Sequence, residues 1–144
     1  MALISLTEYG TGLAFYLDDS QIEMVYSTVI DGTTVSQIQR SAPHNTGYNT
    51  LVFVTQNLAA ILGASGKLIS LSISKDGNQF VTTLVNASIN HFGTVQAPTG
   101  PNPPATANSQ FDYFHNGSTM EVYYSTATPA AIAAAIVAKG PQLA

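Results

Sequence analysis

Glu23 and Glu121 have the most suggestive neighbours of any residues in the chain. Glu23 precedes Tyr26 by three positions, and Glu121 is followed closely by Tyr123 and Tyr124. A carboxylate accepts hydrogen bonds from hydroxyl groups, and a tyrosine ring offers an apolar face with a polar tip. Together they suit a neutral, hydroxyl-rich ligand such as a sugar. Glu23, Tyr26, Glu121, Tyr123 and Tyr124 are therefore the candidate ligand-binding residues.

Other chemistry has weaker support. His44, His91 and His115 are the only histidines, there is no cysteine, and no HxH or HExxH spacing occurs. Zinc sites draw on such spacings, so no metal is expected. Asp18-Asp19 lacks the rest of a calcium loop and reads as turn-forming. A glycosidase needs two carboxylates across a cleft, and Glu23 and Glu121 hold equivalent rather than facing positions. No phosphate-binding glycine loop and no nucleophile elbow is present, and Gly10-Thr11-Gly12 reads only as a turn. The expectation is a non-enzyme without cofactor.

The two acids sit in matching surroundings. Residues 13–28 (LAFYLDDSQIEMVYST) align without a gap to residues 111–126 (FDYFHNGSTMEVYYST). Ser20/Ser118, Glu23/Glu121, Tyr26/Tyr124, Ser27/Ser125 and Thr28/Thr126 are identical pairs. Residues 71–86 (LSISKDGNQFVTTLVN) form a looser third copy, with Val81 in place of the acid. Each copy reads as a hairpin: two β-rich runs around a turn. Strand alternation then places Ile22, Met24 and Tyr26 on one side and Glu23, Val25 and Ser27 on the other. Alternatively, the likeness reflects only the facing rules common to hairpins, with each glutamate on the solvent side of its strand.

The stretch Gly117-Ser118-Thr119-Met120-Glu121-Val122-Tyr123-Tyr124 resembles the blade motif of the fungal fucose-specific lectins, which are six-bladed β-propellers. Asp19–Tyr26 has the same spacing, with Asp19 in the glycine place. The resemblance implies a propeller-like fold and a sugar-binding role for the glutamate and the aromatic after it. Those lectins are about twice as long, so a propeller here would close by oligomerisation. With no Trp in the chain, tyrosine would supply the ring face.

The composition bears on partners. Charged residues make up 8% of the chain, with four basic and eight acidic side chains and a net charge of −4. An average domain has roughly 25%. Arg40, Lys67, Lys75 and Lys139 are too few and too scattered to neutralise a nucleic-acid backbone. So few like charges leave the surface weakly protected against self-association. No apolar run approaches the roughly 18 residues of a membrane-spanning helix. No signal-peptide pattern opens the chain, so a cytoplasmic location or export by another route is expected. The Asn86-Ala87-Ser88 and Asn116-Gly117-Ser118 glycosylation patterns read as chance matches.

The elements come from short β-rich runs between turn residues. Strands are expected at Ile4–Thr7, Leu13–Leu17, Gln21–Val29, Thr34–Ile38, Leu51–Thr55, Lys67–Ser74, Gln79–Val85, Phe111–Phe114 and Thr119–Ser125. Asp76-Gly77 and Asn116-Gly117 are favoured hairpin turns. Ser41–Asn49 reads as a loop. Asn57–Leu62 reads as a short helix ended by Gly63 or as a further strand, and the lack of β-branching in Leu58-Ala59-Ala60 favours the helix. The prolines of Ala97–Ser109 mark a further loop. A C-terminal Ala-rich helix is expected over 129–139, with Thr128 as N-cap, Pro129 at its first position and Gly140 just beyond it.

These readings give an all-β domain over 1–144, built of repeated antiparallel hairpins in a propeller-like or sandwich-like arrangement. The expected function is that of a lectin-like, carbohydrate-binding homo-oligomer with neutral glycans as partners. The alternative is a structural protein that self-assembles into a shell, fibre or tube. Neither involves nucleic acid or membrane insertion.

Overall fold

A computed structural model describes residues 3–40, 51–74, 79–86, 91–95, 107–115 and 119–139. The protein is mostly β. Among the described residues, ten strands run in chain order: β1 (Leu3–Thr7), β2 (Ala14–Asp18), β3 (Ile22–Ile30), β4 (Thr33–Arg40), β5 (Leu51–Val54), β6 (Ile69–Ser74), β7 (Val81–Val85), β8 (His91–Thr94), β9 (Ser109–His115) and β10 (Thr119–Ser125). Helix α1 (Leu58–Ala64) comes after β5, and α2 (Pro129–Lys139) after β10. The loops expected at Ser41–Asn49 and over most of Ala97–Ser109 lie outside the described residues, as do both favoured turn dipeptides.

Strands β1 and β2 form a two-stranded sheet, and the other eight form one antiparallel sheet in the order β5-β4-β3-β7-β6-β10-β9-β8. The large sheet is open, ending in β5 and β8, and its strands run on continuously rather than dividing into blades. The small sheet is tied to β5 by main-chain bonds from Thr55 N to Thr7 O and from Tyr9 N to Phe53 O.

The expected hairpin at 13–28 does not form. β2 pairs with β1, whereas β3 pairs with β4 and β7. In place of its expected turn, Asp18-Asp19-Ser20, a single 3-10 turn over Asp19–Gln21 carries the chain from one sheet to the other. The two later copies do pair, β6 with β7 and β9 with β10. The 13–28 and 111–126 segments therefore share a sequence pattern but not a local shape. β3 instead makes its hairpin with β4 around Asp31-Gly32, where both residues have positive φ (50° and 78°). Two successive left-handed residues characterise the turn whose twist matches paired strands, and they account for Gly at the second place.

Strand β3 also departs from simple alternation. Ile22 stands opposite Arg40, but Met24 stands opposite Gln39, so Glu23 is an extra residue. Such a β-bulge shifts the facing of the residues beyond it. Ile22 and Val25 accordingly share one apolar cluster, while Met24 and Tyr26 belong to the other. The expectation that Ile22, Met24 and Tyr26 lie on one side is corrected by this one residue.

The two clusters lie on opposite faces of the large sheet. The first joins Val25, Ile38, Val54 and Leu84 to Ile4, Leu6 and Leu17 of the small sheet and to Ile61 of α1. The second joins Met24, Ile69, Val85, Phe111 and Tyr123 to Ile132 of α2. Truncating a fully buried residue such as Ile132 to alanine costs about 3 kcal/mol. Helix α2 begins as expected, with Thr128 accepting from Ala131 N at 3.2 Å, whereas Asn57, expected inside the short helix, caps α1 by accepting from Ala60 N at 2.8 Å. At the far end of α2, Lys139 Nζ donates to Leu62 O of α1 at 3.0 Å and so links the two helices.

Candidate functional site

Among the described residues, two carboxylates are buried, Glu23 and Asp19, and both are bound into the framework. Glu23 is 5% exposed. Its Oε1 accepts from Nε2 of Gln39 at 3.2 Å, and its carbonyl accepts from Asn86 N at 2.9 Å. The bulge accounts for the position: the extra residue is held between β4 and the end of β7. Burial removes water from the carboxyl and raises its pKa, and the bond from Gln39 offsets part of that rise. Glu23 is thus neither a solvent-facing strand residue nor an open sugar-binding carboxylate.

Asp19 is fully buried, a placement its sequence neighbours did not announce. Its Oδ2 accepts from Ser65 Oγ at 3.2 Å and from Gly66 N at 2.9 Å. Ser65 Oγ in turn accepts from Lys67 N and Leu68 N. The result is a compact polar knot that fixes the end of α1 against the 3-10 turn. Asp18 behaves as the turn-forming residue expected. It accepts from Ser20 N at 2.9 Å, and this bond holds its carboxyl below the usual carboxylate range.

The tyrosines separate. Tyr26 is half-buried against the second cluster, and Tyr123 lies within it at 8% exposure. Tyr123 pairs with Phe111, and Phe111 pairs with Phe92, their ring centroids 5.5 Å apart. Tyr124 is the next residue along β10 and faces the opposite way, half-buried in a row with Ser74 and Gln110. Glu121 stands opposite Tyr113 in the β9–β10 register, and its side chain is outside the described residues. Strands β3 and β10 are separated by β7 and β6, which puts their backbones roughly 14 Å apart. The five candidates therefore do not converge on one pocket.

Several large apolar side chains are exposed among the described residues. On the outer side of the small sheet, Leu3 is 66% exposed and Tyr16 71%, and Leu13, just before β2, is 65% exposed. Alternation explains the arrangement: Ile4, Leu6 and Leu17 point into the first cluster, so Leu3, Ser5 and Tyr16 point away. The signal was present in the sequence, since Ala14–Asp18 reads AFYLD with large side chains at both parities.

Among the described residues, no group of three or more His, Asp or Glu is placed to hold a metal ion. No helix among them is long and apolar enough to cross a membrane. Comparison with protein-family models, with curated proteins and with solved structures finds no match.

Proposed function

We propose that this chain is a structural protein that works as an assembly of its own copies, in a shell, fibre or tube. One observation carries the reading: Leu3 and Tyr16 are largely exposed on the outer side of the small sheet, with an exposed Leu13 just before β2, in a chain with only 8% charged residues. Large exposed apolar groups grouped on one element mark contact surfaces. Few charges stand elsewhere on the surface to keep copies apart. Sedimentation velocity of the wild type and of a Leu3→Asp/Leu13→Asp variant tests it. The wild type should sediment as an assembly and the variant should dissociate. A wild type that sediments as a single chain would end the reading.

A second reading is the non-catalytic lectin-like one, with Glu121 and Tyr124 of the five candidates as ligand groups and neutral glycans as partners. Its support is Tyr124. That ring is half-buried in a row with Ser74 and Gln110, and Ser70, Ser72 and Thr82 are exposed on the same face of the sheet. Hydroxyls and an amide around one ring suit an uncharged sugar. A glycan array with Tyr124→Ala and Glu121→Gln controls tests it, and an array on which the wild type retains nothing would end it.

A further inference from the structure

Among the described residues, the outer edge of β2 is an open set of backbone donors and acceptors. Glu8 N donates to Leu13 O at 2.9 Å, which puts a position of hydrogen-bonded pairing one step beyond the β1–β2 register that ends at Thr7/Ala14. Such pairs alternate with non-bonded ones along an antiparallel ladder. Leu6/Phe15 and Ile4/Leu17 are therefore the bonded pairs. The backbone groups of Ala14, Tyr16 and Asp18 then point away from β1. The same alternation points Thr7 away from β2, as its bonds to Thr55 N and Gln56 Oε1 require.

Among the described residues, no strand pairs with β2 on that side. Soluble proteins usually guard such an edge with lysine, proline, a bulge or a covering loop. β2 reads Ala-Phe-Tyr-Leu-Asp, with no basic residue and no proline, and its five residues pair with β1 in unbroken register. Tyr16, the middle residue, is 71% exposed.

We infer that this edge is a seam between copies, in which β2 pairs antiparallel with β2 of a second copy and Tyr16 stands opposite Tyr16. The inference rests on the self-assembly reading and names its contact. The edge is complementary to itself. Rotation about a two-fold axis through Tyr16 brings its outward N–H and C=O onto those of the second Tyr16, and Ala14 onto Asp18. A closed two-fold contact uses the same patch on both partners. The one charge on the strand is also accommodated. Asp18 faces Ala14 of the second copy, and the two Asp18 residues lie about 14 Å apart, beyond the reach of strong repulsion in physiological salt. The four strands then form one sheet whose outer side carries Leu3 and Tyr16 from both copies.

The chain has no cysteine, so Tyr16→Cys introduces a single thiol. Directly opposed residues in a bonded antiparallel pair have Cα atoms about 5.5 Å apart, within disulfide range. Mild oxidation should give a covalent dimer of twice 15.1 kDa on a denaturing gel. Val29→Cys, equally exposed on β3, should give none. Tyr16→Pro removes the outward N–H without touching a β1–β2 bond. It should leave the circular dichroism unchanged and weaken assembly at least tenfold. If the wild type assembles but Tyr16→Cys does not cross-link and Tyr16→Pro assembles normally, the seam is elsewhere and only this inference falls. If the wild type is a single chain, the inference and the assembly reading fall together.

Discussion

Gln39 donates from Nε2 to Oε1 of Glu23 across 3.2 Å, inside the sheet and at the bulge of β3. The pairing converts a residue with the look of a ligand group into part of the framework. It also makes stability depend on pH. Burial raises the folded-state pKa of Glu23 above its ordinary value of 4.5. The folded protein therefore holds the proton more tightly than the unfolded chain. This contribution is complete below the ordinary value and is lost as pH rises through the raised one. Denaturant unfolding at a series of pH values should show stability falling over that window. Glu23→Gln keeps the shape and the bond from Gln39, and should flatten the dependence. An unchanged dependence would reject the assignment to Glu23.

Asp19 should matter more to folding than its neighbour. Asp19→Ala leaves Gly66 N and Ser65 Oγ without their acceptor in a buried site, at a cost of about 2–3 kcal/mol. Asp18→Ala removes one exposed turn bond, at a cost of about 1 kcal/mol or less. Chemical denaturation of both variants should give that order, and the reverse order would contradict the polar knot.

The Asp31-Gly32 turn gives a backbone test. No atom lies within 4 Å of a Cβ placed on Gly32, so Gly32→Ala meets no clash. Its φ of 78° alone makes the substitution cost about 1 kcal/mol. Calorimetry should show Tm falling by roughly 3 °C. No change would mean that the turn has another conformation in solution.

The bond from Lys139 to Leu62 O joins the ends of the two helices. Lys139→Met keeps most of the stem but loses the donor. The expected loss is about 1 kcal/mol, with faster amide exchange in the last turns of α1 and α2 than in β3. Equal exchange in both proteins would show that the link contributes nothing.

Much of the element pattern was legible because local chemistry decides it. Asn57 and Thr128 act as caps in the fold as their types suggest, and Leu51–Val54 is a strand because its β-rich run leaves little alternative. The pairing of strands was less legible. Asp18-Asp19-Ser20 has the composition of a hairpin turn, yet the buried Asp19 binds Ser65 and Gly66 and sends the chain into a second sheet. That choice depends on partners 46 and 47 residues away, which local composition does not encode. The bulge at Glu23 is likewise set by the pairing of β3 with β4 and defeats a reading by alternation. Asp31-Gly32 is a favoured turn dipeptide that was not among the expected turns, and it marks the hairpin of β3 with β4. His91–Thr94 was not expected as a strand, since four residues including a glycine give little pattern.

Mass in solution, measured by light scattering from dilute to concentrated protein, bears most directly on self-assembly. The account predicts a mass that is a multiple of 15.1 kDa and grows with concentration. A constant 15.1 kDa across the range would contradict it, and would leave the bare edge of β2 and the exposed Tyr16 without a role.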